Sequence, residues 1–259
     1  MKVVSAILND VGGLALFVKD VFQTGFRTEK NVKPILDQIV DVTTRSFTTV
    51  AFAGVFVGAI LVLQFSLILA KYDAQTFLGG LNTSAVVREV GPLIISFLLA
   101  GKVGAFTAAE LGTMRVTEQI DAIECLGTNP IQYLILPRFI GIVASSLILL
   151  MMSLMISILG SMMVASVTYG IYPEQFLGSI PRFVSFGTLA AGMFKSAVYG
   201  IIVAGVACYK GYTASGGARG VGRAVTQAAI LTNLYIVIAN FLTGQFLDVL
   251  SALSKGNAG

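Results

Sequence analysis

The 259-residue chain has no histidine, two cysteines and six prolines, and only 12% of its residues are charged. The absence of histidine removes His-based intramembrane catalysis and the usual zinc ligands, so no catalytic or metal-ligating residue is assigned and a membrane protease or lipid-modifying enzyme is a poor reading. A phosphate-cradling G-x-x-x-x-G-K-[ST] loop is missing too. The nearest candidate, GGARGVG at 216–222, lacks the Lys-Ser/Thr and reads as a flexible turn between spans. No nucleotide cofactor is therefore expected in this chain, and active transport would need ATP on another subunit. Pro and Gly clusters are too sparse to mark a second domain. A soluble domain is about 25% charged, so half the usual charge is gone.

What fills the gap is apolar: 56% of residues are hydrophobic and the mean hydropathy is +0.86. Uncharged intervals of 25, 35 and 24 residues separate Arg45 from Lys71, Arg138 from Glu174 and Arg223 from Asp248. Each supplies the ~20 apolar residues that cross a bilayer as a helix. Two further spans carry embedded charge. A helix over about 84–104 takes in Arg88 and Glu89, and one over about 187–208 takes in Lys195. The expected fold is an all-α integral membrane protein with five transmembrane helices.

The basic residues orient it. With the N-terminus inside, twelve of the 17 Lys and Arg residues fall on the cytoplasmic side, including Lys19, Lys33, Arg115, Arg138, Lys210 and Arg223, while only Lys71, Arg182 and Lys255 fall outside. The net charge of +4 is thus a topology signal and implies no nucleic-acid partner. Both Cys125 and Cys208 then lie where thiols stay reduced, and read as packing residues. Residues 1–24 repeat Val4, Ile7, Leu8, Val11, Leu14, Ala15, Val18, Val21 and Phe22 at helical spacing, opposite Asn9, Asp10, Lys19 and Asp20, as an amphipathic interfacial helix does. A second short helix is expected from Pro34 into the first span. Domain limits follow: interfacial and elbow helices at 1–45, one five-span domain at 46–250, and a short periplasmic tail at 251–259.

Between spans two and three, AAELGTMRVTEQIDAIECLGTNPIQYLILPR (108–138) alternates charge and apolar residues. Val116, Ile120, Ile123 and Leu126 share one expected helical face, with Glu118, Asp121 and Glu124 on others. Gly127 stops the helix and Pro130 prevents its resumption. A short cytoplasmic helix held between two spans is a handle for a partner. A second short helix, on the outer side, is expected between Pro173 and Pro181, with Phe176, Ile180, Phe183 and Val184 on its apolar face.

The run VVREVGPLIISFLLAGKVGAFTAAELGTMRVTEQIDAIECLGTNPIQYLILPRF resembles the core of the MlaE/YrbE family, the permease subunits of ABC transporters that move phospholipids between membranes with MCE-domain lipid-binding proteins. Asp121-Ala122 with Gly127 is also similar to the EAA coupling loop of bacterial ABC importers, although Asp replaces Glu and Ile123 replaces the second Ala. The resemblance implies a homodimer in the bacterial inner membrane, C-terminus periplasmic, with a cytoplasmic ATP-binding subunit, a periplasmic MCE-domain partner and a phospholipid cargo. It implies ATPase coupling through Arg115, Glu118, Asp121, Ala122, Glu124 and Gly127.

Arg88 and Glu89 have two readings from the residues alone. At headgroup depth they would snorkel; facing a cavity between protomers, Arg88 would hold a phosphate fork-wise and Glu89 would balance it. The resemblance implies the second. In the first span, Leu61, Gln64, Phe65, Ile68, Leu69 and Tyr72 recur at helical spacing, and helix packing would produce the same stripe; the resemblance implies that Leu61, Leu69 and Tyr72 line a lipid pocket. Gly54 and Gly58, like Ala100, Gly104, Ala108 and Gly112, suit close helix contact, within the chain or across a dimer. A channel or secondary transporter is the alternative function.

Overall fold

A computed structural model describes residues 2–27 and 32–256. Among the described residues there is no strand. The helices are α1 (Lys2–Arg27), α2 (Val32–Ala70), α3 (Leu78–Ala85), α4 (Gly91–Leu99), α5 (Ala105–Val116), α6 (Gln119–Cys125), α7 (Leu136–Tyr169), α8 (Pro173–Phe183), α9 (Phe186–Tyr212) and α10 (Gly217–Gly256). Three π-helical turns, Val86–Val90, Ala100–Gly104 and Ile131–Ile135, join α3 to α4, α4 to α5 and lead into α7. Five stretches are long and apolar enough to cross a membrane: Val32–Ala70, Gln75–Val116, Ile131–Tyr169, Phe186–Tyr212 and Gly217–Leu250. The all-α, five-span architecture with an N-terminal helix is therefore present.

The chain forms two compact units, one of Met1–Thr43, Leu99–Ser145 and Gly200–Tyr235, the other of Thr44–Leu98, Ser146–Tyr199 and Ile236–Gly259. In the second, the GxxxG of α2 packs within the chain. A Cβ on Gly58 would lie 2.4 Å from both the Ser157 carbonyl and Ser161 Oγ of α7, and one on Gly54 would lie 2.9 Å from Ser153 Oγ. Large side chains such as Phe52, Phe56, Leu159 and Met163 are exposed while Ser146, Ser157 and Ser161 are buried. This inversion belongs to a lipid-solvated chain, where close backbone approach and small polar groups hold helices together. Helix α8 seats on α3 by the same means. Gly79 and Gly80 approach Phe176 and Phe183, and the Gly80 amide donates to Ser179 Oγ at 2.8 Å. Phe176 and Ser179 are its buried face.

In the first unit, Ala100 and Ala108 are fully buried. A Cβ on Gly211 of α9 would come within 3.0 Å of the Ala108 carbonyl. The small-residue stripe thus also packs within the chain. Helix α1 lies on this unit through Phe17, whose ring sits 5.7 Å from that of Tyr209 and 5.9 Å from that of Tyr212. Gly13 makes room for Tyr209. Among its described side chains Phe17 and Val21 are buried, whereas Val11, Leu16 and Phe22 are exposed. The side chains of Val4, Ile7 and Leu8 lie outside the described residues.

Several local expectations change. The helix expected from Pro34 is simply the start of α2, which runs unbroken to Ala70. GGARGVG is not a flexible turn between spans: Gly216 and Gly217 take φ of 90° and 65°, and α10 starts at once. The apolar stretch of α10 ends at Leu250 and its helix at Gly256, and 257–259 lie outside the described residues. The handle is split. Thr113 and Thr117 hydroxyls donate to the Ala109 and Thr113 carbonyls at 2.8 Å, competing with the helix ladder, and Glu118 turns left-handed at φ 61°. Val116 therefore ends α5 rather than joining α6, and Leu126, just past α6, is 84% exposed. Cys125 is exposed rather than packed; Cys208 is buried.

The seam between α2 and α7 is directly testable. Gly58→Ala should destabilise the chain by about 1–3 kcal/mol through overpacking. Gly178→Ala on α8, where a Cβ meets nothing within 4 Å, should be neutral or stabilising. Thermal unfolding midpoints of the two variants in detergent check this.

Candidate functional site

The second unit gathers the charges that the sequence places inside its spans. Pro92 has no amide hydrogen and its ring would crowd the carbonyl four residues back. The helix answers with a π turn in which the Gly91 amide bonds to the Val86 carbonyl. A Cβ at Gly91 would sit 2.7 Å from that oxygen, so glycine suits the position. Arg88 and Glu89 ride on this turn. Helix α9 comes close at Gly192, where a Cβ would meet the Val87 carbonyl at 2.4 Å, and Lys195 follows one turn later.

Arg88 and Glu89 do not neutralise one another. Lys195 Nζ donates to Glu89 Oε1 at 2.5 Å, and Arg88 pairs with Asp248 of α10. Only the lysine is sequestered: its side chain is 1% exposed, against 45% for Glu89, 46% for Arg88 and 61% for Asp248. Below Lys195 on α9, the Tyr199 hydroxyl donates to Asn240 Oδ1 at 2.7 Å and lies 3.2 Å from Thr243 Oγ1. On α10, Asn240, Gly244 and Asp248 recur at four-residue steps on one face. Gly244 faces the lysine: a Cβ there would lie 3.7 Å from Nζ, an ordinary contact. The result is a polar ladder on three helices. Its buried rungs are fixed and its Arg88–Asp248 end is accessible.

Sequence reading placed Arg88, Glu89 and Lys195 inside spans but did not join them to one another or to Asp248, and it missed Tyr199, Asn240 and Thr243. The signal available was spacing: Lys195 and Tyr199, like Asn240, Gly244 and Asp248, fall at helical intervals on neighbouring spans. The three residues expected at a lipid pocket are not brought together with the ladder by any observed contact. Leu69 is buried in a cluster with Val62, Leu78, Ala165, Ile171 and Phe176, which Phe65 also flanks. Leu61 is half-buried and Tyr72, beyond the end of α2, is exposed.

The handle residues belong to the first unit. Arg115, in the last turn of α5, pairs with Asp121 of α6, and its guanidinium sits 5.7 Å from the ring centre of Tyr212 at the end of α9. Ile120 is fully buried beneath α6. The Ala122 amide bonds to the Glu118 carbonyl at 2.9 Å, the Gly127 amide to that of Glu124 at 2.9 Å, and Gly127 takes φ 77°. Glu118, Ala122, Glu124 and Gly127 are all exposed. Arg138, at the start of α7, pairs with Glu110 of α5. The short helix is thus riveted to the ends of two spans by one arginine while its acidic face stays open.

Residues 35–246 match the family described as Permease MlaE. The chain is 38% identical over 211 residues to a probable ABC transporter permease protein of Synechocystis sp., covering 82% of this chain and 80% of the relative. It is 33% identical over 232 residues to one of Rickettsia conorii, covering 90% of each. It is also 33% identical over 211 residues to the chloroplastic protein TRIGALACTOSYLDIACYLGLYCEROL 1 of Arabidopsis thaliana, covering 82% of this chain and 60% of that protein. With a five-span helical domain and matches of this extent, the chain belongs to the MlaE family of ABC transporter permeases.

Proposed function

We propose that this permease moves phospholipid, two copies enclosing a lipid cavity in the bacterial inner membrane, with ATP hydrolysed by a separate cytoplasmic subunit and lipid exchanged with a periplasmic MCE-domain protein. Membership of an ABC permease family leaves no role for the channel or secondary-transporter alternative. The observation that carries the reading is the state of Arg88. An arginine at depth in a membrane costs about 2.5–3.5 kcal/mol on insertion scales, yet this one is half-exposed and its ion-pair partner among the described residues, Asp248, is more exposed still. A guanidinium so held can exchange a carboxylate for a lipid phosphate, whose two oxygens fit its fork. Glu89 is engaged by a buried lysine, so the exchange leaves Arg88 the local source of positive charge. That one relative is named for a glycolipid is in keeping with a lipid cargo.

The same reading assigns the periplasmic face to the turn that bears Arg88 and to α8, whose outward Glu174, Leu177 and Arg182 offer a seat for the MCE-domain partner. It assigns the cytoplasmic face, with the N-terminus, to the α6 handle. There the exposed Glu118, Ala122 and Glu124 would enter a cleft of the ATPase. Arg115 would transmit its movement to α5 and α9.

Two experiments test these roles. Arg88→Ala and Arg88→Glu should lower co-purifying phospholipid, counted by native mass spectrometry, and transport in liposomes by about tenfold, with folding near normal. Glu89→Gln should instead destabilise the chain, by up to about 3–5 kcal/mol, since it strands a buried ammonium. Wild-type lipid content in both Arg88 variants would overturn the cavity reading. For the handle, Asp121→Lys combined with Glu124→Lys should abolish ATPase stimulation in nanodiscs while the permease stays folded; unchanged association and unchanged ATPase rate would remove α6 from coupling.

A further inference from the structure

The π turn at Val86–Val90 leaves span two short of backbone donors. Its Gly91 amide serves Val86 and Pro92 has no amide, so Val87 and Arg88 lose the donors that lie four residues on in an α-helix. Within a bilayer, helices broken in this way are made good by neighbouring helices, by Ser and Thr hydroxyls or by ordered water. Beside the turn is a cavity of about 10 Å³, close to the least room that holds one water, roughly 10–15 Å³. Val86 and Gly91 border it from span two, Gly54 from α2, and Ser153 and Ser157 from α7.

The serines give this space its polarity. Ser157 is 1% exposed and Ser153 5%, and Ser157 Oγ has no hydrogen-bond partner among the described residues. A buried hydroxyl left in that state bears its full desolvation penalty. Both hydroxyls stand toward α2: a Cβ on Gly58 would lie 2.6 Å from Ser157 Oγ, and one on Gly54 would lie 2.9 Å from Ser153 Oγ. Close helix packing explains small residues along this seam, but alanine would serve it as well. It does not explain a hydroxyl with nothing to bond. The third polar group is the Val86 carbonyl, 2.7 Å from where a Cβ on Gly91 would stand, which keeps a second lone pair beside the one that the Gly91 amide takes. Two hydroxyls and a carbonyl match the about three hydrogen bonds that a buried water makes. We infer that this cavity is a binding site for a single water, held by Ser153 and Ser157 against the π turn. The Ser157 hydroxyl donates to the water and the water donates to the Val86 carbonyl. Through it α7 is joined to the turn that carries Arg88 and Glu89, so the water is a positioning ligand for those charges. The site stands whether or not Arg88 binds lipid.

Hydroxyl radicals made from a bound water by an X-ray pulse oxidise the side chains beside it, so footprinting of the full-length chain in lipid nanodiscs with isotope-labelled water reads the site directly. Val86 and Ile95 border the cavity and are 4% and 1% exposed, whereas Leu149, 0% exposed, is not part of its lining. Label is expected on Val86 and Ile95 and not on Leu149. Replacing both serines, Ser153→Ala with Ser157→Ala, should cut that labelling by about tenfold, the loss expected when hydrogen bonds to the water go, while Arg88→Ala should leave it unchanged. Melting midpoints supply an independent sign. Removing a buried hydroxyl that has no partner raises the midpoint, whereas removing one that holds a water does not, so Ser157→Ala is expected to leave it unchanged or lower it. The proposal is overturned if Val86 and Ile95 are labelled no more than Leu149, if their labelling survives in the double variant, or if Ser157→Ala raises the midpoint.

Discussion

An ammonium with 1% of its side chain exposed, held 2.5 Å from a carboxylate, sets the terms for the second unit. Burying Lys195 is tolerable only if Glu89 stays in reach, since an unpaired charge in so apolar a surrounding is severely penalised. Glu89 in turn is brought into reach where Pro92 and Gly91 open the helix into a π turn and where Gly192 lets the neighbouring helix close in. Two glycines, a proline and a lysine are thus one device. Its effect is to occupy Glu89 and leave Arg88 answering to Asp248, a half-exposed partner set on another helix.

The first unit obeys a different rule, in which one arginine fastens a short helix. Arg115 reaches Asp121 across the break at Glu118 and covers Tyr212, so α6 is attached to two spans by a single side chain while Ile120 plugs it from beneath. A seven-residue helix has little stability alone. Its position depends on these anchors, and displacing it would pull on α5 and α9 together. That is the mechanical requirement of a coupling element.

Much of this was legible in the sequence because lipid imposes simple rules: uncharged runs gave the spans, and Gly58 and Ala108 marked where helices meet. What was not legible was phase. The stripe through Leu61, Leu69 and Tyr72 has helical spacing, but Leu69 is consumed by a cluster with Phe176, a contact that depends on where α8 folds back. Arg88 and Glu89 are neighbours in sequence, and nothing local says that their partners are 160 and 106 residues away. The handle was visible as a helix with a glycine stop, whereas its start was misplaced because two threonines cap the preceding helix from within.

The π turn at Val86–Val90 has a last consequence. Each such turn adds one residue to a helix, and one residue is about 100° of rotation. The face presented before the turn, where Asn82 donates to Ser161 at 2.8 Å, is therefore out of step with the face presented after it, where Ser96 bonds back to Pro92. Span two is a helix whose angular reference is reset in mid-course, at the point where it carries its charges. A loss of one residue there would restore ordinary helical bonding and still be ruinous, because it would turn every later side chain away from its neighbours. In this span, chain length is as specific as residue identity.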